Sequence, residues 1–416
     1  MPQRLIRLMR RFCMVFAAMS IAVPVLAASL PDAQAPGTQV SIDPAKLPPP
    51  YATDSPGNSP EEIELPASPP FRVPTGFVVN AFATGLQHAR WMTVAPNGDV
   101  FLAEPRAGRV TLLRDADGDG KAELVRPFAS GFRRPHGLAI QGNFLYVADT
   151  EAVWRLPWKA GQIKAEGEKE RVTPKGAIGS GSGHSSRNIT FNRDGSRFYV
   201  AIGSEGNIDR EPSPRATVQS FAADGSDQKT YASGLRNPVG ISLYPGTDDV
   251  YVVVNERDGL GDDLVPDYLT KLKPGGFYGW PDAYIGQHKQ PDFDSRPDQV
   301  AKSIVPDLLF QSHSAPLGLA FYEGKQFPER YRGGAFVALH GSWNRNEPTG
   351  YKVVFVPFKD GKTEGFYETF LSGFWQQGQS TAEVWGRPVG IVVAADGSLL
   401  IADDVANAIW RVSYPK

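Results

Sequence analysis

The sequence predicts an all-β chain folded as a six-bladed β-propeller, closed by pairing its first strand with its last. A polar residue, a small or apolar run through Gly, a turn and a hydrophobic strand with a polar end recur six times. Their spacing, roughly 45 to 80 residues, is the period expected when each unit is one four-stranded blade. The segment GlyPheValValAsnAlaPheAla (76–83) is a strand pattern that the sixfold count leaves unpaired, and IleTrpArgValSerTyr (409–414) is its natural partner. Joining the two ends removes an open sheet edge.

In order, the copies are ArgTrpMetThrVal (90–94) into ValPheLeuAlaGlu (100–104) and ProHisGlyLeuAlaIle (135–140) into PheLeuTyrValAlaAsp (144–149). HisSerSerArgAsnIleThrPhe (184–191) leads into PheTyrValAlaIleGly (198–203), and AsnProValGlyIleSerLeu (237–243) into ValTyrValValValAsnGlu (250–256). AlaProLeuGlyLeuAlaPhe (315–321) into AlaPheValAlaLeuHis (335–340) and ArgProValGlyIleValVal (387–393) into LeuLeuIleAlaAspAsp (399–404) complete the set. Asp-Gly and Asn-Gly turn signals separate the strands. Long insertions at about 257–311 and 341–384 interrupt the repeat and are expected to project over one face.

Ahead of this domain (76–416), residues 1–28 read as an export signal: Arg4, Arg7, Arg10 and Arg11 precede an apolar run from Phe12 to Leu26 and a small-residue cleavage site. The expectation is a periplasmic or secreted protein with no transmembrane segment in the mature chain, since the run falls short of the roughly 20 residues a span needs. Residues 29–75, rich in Pro, Ala and Ser, read as an extended leader or linker laid partly over the domain. The single cysteine, Cys13, lies in the signal, which excludes disulfides, thiolate metal sites and cysteine nucleophiles from the mature chain. With 416 residues and a formal net charge of −2, the chain can bury a large core and offers no electrostatic reason to bind nucleic acid.

The positions just before each inner strand ring one mouth of the central channel and hold Arg90, His136, His184 with Arg187, Arg236 with Asn237, His313, and Arg387. Five of the six histidines (His88, His136, His184, His313 and His340) fall there or at the end of a following strand, and His288 alone sits in an insertion. Such clustering by topology points to a site. No HisXHis or HisGluXXXHis spacing suggests a metal, whereas several arginines at the mouth suit a multiply anionic ligand gripped by guanidinium forks.

The chain resembles the quinoprotein glucose/sorbosone dehydrogenases, with the sorbosone-type branch the better fit over 76–416. The segments that carry the likeness are GlyHisSerSerArgAsnIle (183–189), GlyLeuArgAsnProValGly (234–240), AsnGluArgAspGlyLeuGlyAspAspLeuValPro (255–266) and GlyGlyPheTyrGlyTrpPro (275–281). HisSerAlaProLeuGlyLeuAlaPheTyr (313–322), HisGlySerTrpAsnArg (340–345) and TrpGlyArgProValGlyIle (385–391) continue it.

The resemblance implies a soluble, exported propeller that uses pyrroloquinoline quinone (PQQ) and calcium to oxidise a sugar or aldehyde, passing electrons to an external acceptor such as a cytochrome or the quinone pool. It implies His184 as general base, whose imidazole titrates near working pH. It sets Arg236, Asn237, Arg387, Lys352, Glu256, Trp385 and His313 against the cofactor, and the backbone carbonyls of Arg257 and Asp258, with Asp262 and Asp263 nearby, against calcium. Trp385 stands where the glucose branch has a second arginine, and GluArgAsp (256–258) where it has GlnGlyPro.

Separately, Asp115, Asp117 and Asp119 with Glu123 resemble the first half of an EF-hand loop and form a candidate second calcium site, although an Asp-Gly hairpin turn explains them equally well. Two other readings stay open: a calcium-dependent lactonase-type hydrolase using Glu104, Asp149, Glu256 and Asp403 at strand ends, and a non-catalytic binding propeller.

Overall fold

Side chains of a strand alternate between its two faces, and here both faces are buried. Along Val250–Asn255, residues Val250, Val252 and Val254 pack toward one neighbouring sheet, while Tyr251 and Val253 pack toward the other. The structure, a computed structural model, describes residues 32–415, so the expected signal at 1–28 and Cys13 lie outside the described residues. The fold is all-β, with one short α-helix, Pro297–Lys302, among the described residues.

Six antiparallel sheets follow one another along the chain. The first joins Met92–Val94, Val100–Glu104, Arg109–Arg114 and Leu124–Ser130; the second joins Gly137–Gln141, Phe144–Ala148, Val153–Pro157 and Glu170–Arg171. The third holds Ile189–Phe191, Arg197–Ile202, Thr217–Ala222 and Lys229–Ser233; the fourth holds Asn237–Leu243, Val250–Asn255, Tyr268–Lys271 and Leu308–Leu309. The fifth consists of Pro316–Phe321, Ala335–Leu339, Lys352–Val356 and Tyr367–Leu371. The sixth runs Pro388–Val393, Leu399–Asp403, Ala408–Ser413 and then Val78–Ala83, which pairs with the last strand in the register Val78 to Ser413 through Ala83 to Ile409.

The first strands of the six sheets touch in cyclic order, the sixth against the first. Met92, Leu138, Ile189, Ile241, Leu319 and Ile391, one from each, line a single cavity of about 450 Å³. The glycine shared by the copies has a steric reason there: a Cβ on Gly318 would strike the carbonyl oxygen of Val389, and one on Gly390 that of Arg90, each in or beside the adjacent sheet's first strand. The core is divided accordingly into clusters between neighbouring sheets. Phe336, Phe355 and Phe370 meet Ile401 and Trp410 between the fifth and sixth, while Leu102 and Leu113 meet Leu400 and Ile409 between the sixth and first.

Two expectations change in detail. The stretches 257–311 and 341–384 are not insertions throughout, because they supply the outer strands Tyr268–Lys271, Leu308–Leu309, Lys352–Val356 and Tyr367–Leu371. Outer strands lack the close approach that imposes the glycine pattern, so the repeat fades in them. The leader is ordered from residue 32: Gln39–Val40 adds to the edge of the fifth sheet, and Glu61–Glu62 pairs in parallel with Glu383–Val384.

Candidate active site

At the ends of the first strands the expected ring of polar residues divides into an open half and a packed half. The open half is a cavity of about 440 Å³ lined by His88, Arg90 and Arg106 of the first sheet, Arg134 and His136 of the second, His340 of the fifth, and Arg387 and Asp404 of the sixth. Ser185, Ser186 and the leader residue Glu62 complete much of its wall. Asp404, buried, receives Arg90 Nη1 at 2.6 Å and His340 Nε2 at 3.0 Å, with His88 Nε2 at 3.5 Å. Burial works against ionisation, but His340 and the Arg90 guanidinium hold the Asp404 carboxyl well below the usual range. Burial, with Arg387 nearby, lowers His340 to about 4, and burial with Arg90 nearby lowers His136 to about 3. These imidazoles are therefore neutral at working pH, and the arginines carry the positive charge.

Arg387 is fixed by Nε to the His340 carbonyl at 3.0 Å and Nη2 to the Gly341 carbonyl at 2.9 Å, which leaves Nη1 without a partner among the described residues. The buried His136 Nε2 also has no hydrogen-bond partner there, although Nδ1 is held by Asn188 Oδ1 at 2.8 Å. An orphaned buried polar atom beside a cationic cavity is the expected mark of an absent polar ligand.

The packed half carries His184. Its Nδ1 donates to the Ser204 carbonyl at 2.9 Å and its backbone N–H to the same oxygen at 3.0 Å, while the Ser204 amide donates to the Arg236 carbonyl at 2.7 Å. With Nδ1 protonated, Nε2 carries the lone pair. Burial, and then the Arg236 charge, lower His184 to about 4. Arg236 directs Nε to the Asn207 carbonyl, Nη1 to the Glu256 carbonyl at 2.7 Å, and Nη2 to Asn207 Oδ1 at 3.0 Å and Asp258 Oδ2 at 2.9 Å. Its donors are thus engaged by the protein. Asp258 also takes Asn344 Nδ2 at 2.7 Å and lies 3.7 Å from His313 Nδ1, and His313 Nε2 donates to the Gly261 carbonyl. Asn237 Oδ1 and Glu256 Oε1 are buried without partners among the described residues, and burial raises Glu256 to about 7 against the pull of Arg236.

Several expected site residues are placed elsewhere. Trp385 is 1% exposed in the core among Phe71, Phe374 and Trp410, its Nε1 on the Gly373 carbonyl, so it does not face the cavity. Lys352 is buried under the leader with Nζ on the Ala33 carbonyl at 2.7 Å, and burial lowers it to about 7. Neither reaches the mouth. Asp262 takes the Asn346 amide and side chain at 3.0 Å each, and Asp263 pairs with Arg345, so both brace the 340s loop instead of joining the 257–258 carbonyls. The Asp258 carbonyl already accepts Asn207 Nδ2 at 3.0 Å and Arg257 Nε at 3.2 Å. Of the expected calcium ligands, the Asp262 and Asp263 side chains are thus engaged by the 340s loop, and the Asp258 carbonyl by two protein donors.

Asp115, Asp117, Asp119 and Glu123 do converge, with ligand atoms within 4.8 Å of one another, but they are largely exposed and none of them lines the cavity at the mouth. The carboxylates of the hydrolase reading do not gather: Glu104 is bound by Arg109 at 2.6 Å, Asp149 caps the turn at 151–152, and Asp403 takes the Arg387, Val405 and Ala406 amides. Arg106, Arg134, Asp404, Glu62, Asn207 and Asn344 belong to the site without having been singled out in sequence. Arg134 and Asp404 adjoin pattern positions, but Glu62 carries no local signal.

A family described as TrAA12-like matches residues 71–275 and 282–415. The chain belongs to this family. Among curated proteins it is 29% identical over 361 residues to an uncharacterized protein of Borreliella burgdorferi, covering 83% of this chain and 91% of that one. It is 26% identical over 419 residues to the PQQ-dependent pyranose dehydrogenase of Coprinopsis cinerea, covering 82% of this chain and 55% of that protein, so the chain spans about half of the latter's length. The fold matches the holo PQQ domain of that pyranose dehydrogenase with a TM-score of 0.70 at 22% identity, covering 85% and 99% of the two chains. It also matches the PQQ-bound aldose sugar dehydrogenase of Streptomyces coelicolor with a TM-score of 0.55 at 18% identity, covering 84% and 99%. The curated relative from Coprinopsis cinerea and these two solved structures are thus named as PQQ-dependent or PQQ-bound sugar dehydrogenases. Among the described residues no helix is long and apolar enough to cross a membrane.

Proposed function

We propose that the chain is an exported PQQ-dependent dehydrogenase, a six-bladed β-propeller that oxidises an aldose, aldosulose or related aldehyde hydrate. The observation that carries this reading is the cavity lined by Arg90, Arg106, Arg134 and Arg387 in a TrAA12-like chain, because that charge suits a multiply anionic, flat cofactor. The six sheets in cyclic contact support the propeller. When bound, the cofactor would accept a hydride, that is one proton with two electrons, from the substrate carbon.

The rest falls to this chain. Arg387, free at Nη1, and Arg90, Arg106 and Arg134 hold carboxylates; His136 Nε2 and Asn237 are polar groups awaiting a partner. His184 takes the substrate's hydroxyl proton at Nε2, while the Ser204 carbonyl fixes the tautomer and stabilises the imidazolium that results. In this reading residues 1–28 are removed on export, electrons leave to an external acceptor, and the sorbosone-type aldosulose is one substrate of the panel to be tried.

Purified apoprotein loaded with PQQ, with and without calcium, is assayed for dye-linked oxidation of neutral aldoses and aldosuloses. We expect activity that His184→Ala lowers about 10²- to 10⁴-fold. Absence of oxidation across the panel, or equal rates for the two proteins, contradicts the reading.

A further inference from the structure

The loop that delivers His184 runs through GlySerGlySerGly (179–183) and has no regular secondary structure, a composition that favours disorder over a fixed geometry. Two buried guanidiniums hold it. Arg187, fully buried, sends Nε to the Ile178 carbonyl at 3.0 Å, Nη1 to the Ser186 carbonyl at 2.7 Å and the His184 carbonyl at 2.9 Å, and Nη2 to the Ser180 carbonyl at 2.7 Å. Arg215, 7% exposed, sends Nη2 to the Ser182 carbonyl at 2.8 Å and Ser180 Oγ at 2.9 Å, and Nη1 to the Gly203 carbonyl at 3.2 Å. Gly203 precedes Ser204, the residue that holds the His184 ring. Arg215 therefore ties the loop to the strand end on which the imidazole is docked.

Stability alone does not explain the arrangement. Two like charges lie close enough that a Cβ on Gly179 would stand 3.5 Å from one guanidinium and 3.8 Å from the other. The carboxylate nearest Arg215 is that of Glu205, at 3.9 Å and mostly exposed. Carbonyl dipoles do the solvating, and burial together with the Arg215 charge lowers Arg187 to about 9.

We propose that Arg187 and Arg215 are positioning residues that clasp the 178–186 loop, docking the His184 ring with Nδ1–H on Ser204 and Nε2 left to receive a proton. The proposal rests on the reading of His184 as base. The charged groups felt at His184 are Arg236, Asp258 and Arg215. Loss of the Arg215 charge removes one of the cations that disfavour imidazolium.

The test uses Arg215→Met, with Arg215→Lys keeping the charge but not the fork, and reads two quantities. The first is nitrogen-15 histidine NMR of the full-length apoprotein, with His184 assigned by the signal missing in His184→Ala. We expect one Nδ1–H tautomer in the wild type, a mixture in Arg215→Met and an intermediate state in Arg215→Lys. The second is PQQ-loaded turnover, where kcat falls about 10- to 100-fold in Arg215→Met with KM within about threefold. The acid limb of kcat/KM also moves toward higher pH in this variant, and Arg215→Lys keeps the limb near the wild-type position. Should Arg215→Met not fold, Arg215→Lys is decisive by the same two readouts. A folded variant with the wild-type tautomer and wild-type kcat overturns the clasp. If His184→Ala turns over like wild type while the tautomer still changes in Arg215→Met, the base assignment fails and the clasp stands.

Discussion

His184 and Arg387 show what a side chain's surroundings add to its identity. An exposed imidazole titrates near 6.5, but burial and the Arg236 charge place His184 at about 4. It is therefore already unprotonated at pH 5 to 7, and kcat/KM is expected to be flat through 6.5 and to fall only as pH drops toward 4, which a pH-rate profile checks. Replacing Arg387, whose Nη1 is unengaged, by Met is expected to weaken PQQ binding about 10-fold or more, measured by calorimetry. Lys352→Met is expected to leave it unchanged, because that ammonium is buried on the Ala33 carbonyl. Matching a position to a family says which residue stands there, but not which way it points. That is why Trp385 and Lys352 read as cofactor contacts in sequence although Trp385 lies in the core and Lys352 under the leader.

Among the strands, the inner ones were legible in sequence because a steric demand repeats in them. Gly137, Gly240, Gly318 and Gly390 each lie against a carbonyl in or beside the neighbouring first strand, so the glycine recurs in these four copies. Gly390→Ala is expected to destabilise by about 1–3 kcal/mol in denaturant unfolding. Gly57→Ala, with open space around its Cβ position, is expected to change stability by less than about 0.5 kcal/mol. Outer strands, free of that demand, were hidden within apparent insertions. The docking of Glu61–Glu62 on Glu383–Val384 depends on a pairing across more than half the chain and leaves no periodicity to read. Through it the leader places Glu62 in the wall of the cavity.

At the scale of the molecule, pattern and pairing meet in one arrangement: clusters between successive sheets, a cavity lined by all six first strands, and a second, cationic cavity at the strand ends. Concentrating histidines there affects the whole fold. His88, His136, His184 and His340 all have pKa values lowered by burial to about 4, 3, 4 and 4. Between the folded values and 6.5 the unfolded chain binds protons at these histidines that the native chain does not, so their contribution to stability rises with pH across that window and is lost as pH falls through it. Buried carboxyls with raised values, Glu256 and Asp403 at about 7 and Asp267 at about 6, act in the opposite sense over the same window. The histidine share is therefore read by NMR titration of the four imidazoles, where values near 6.5 would show that they are not buried neutral.

The central claim, that this mouth holds a quinone and His184 starts the oxidation of a sugar, is tested most directly by the absorbance spectrum of the PQQ-loaded protein before and after an aldose is added without an electron acceptor. Bound oxidised quinone is expected to convert to its reduced form in a single turnover, and to do so about 10²- to 10⁴-fold more slowly in His184→Ala, which still binds the quinone. A protein that binds no PQQ, or a His184→Ala variant that reduces it as fast as the wild type, would contradict it.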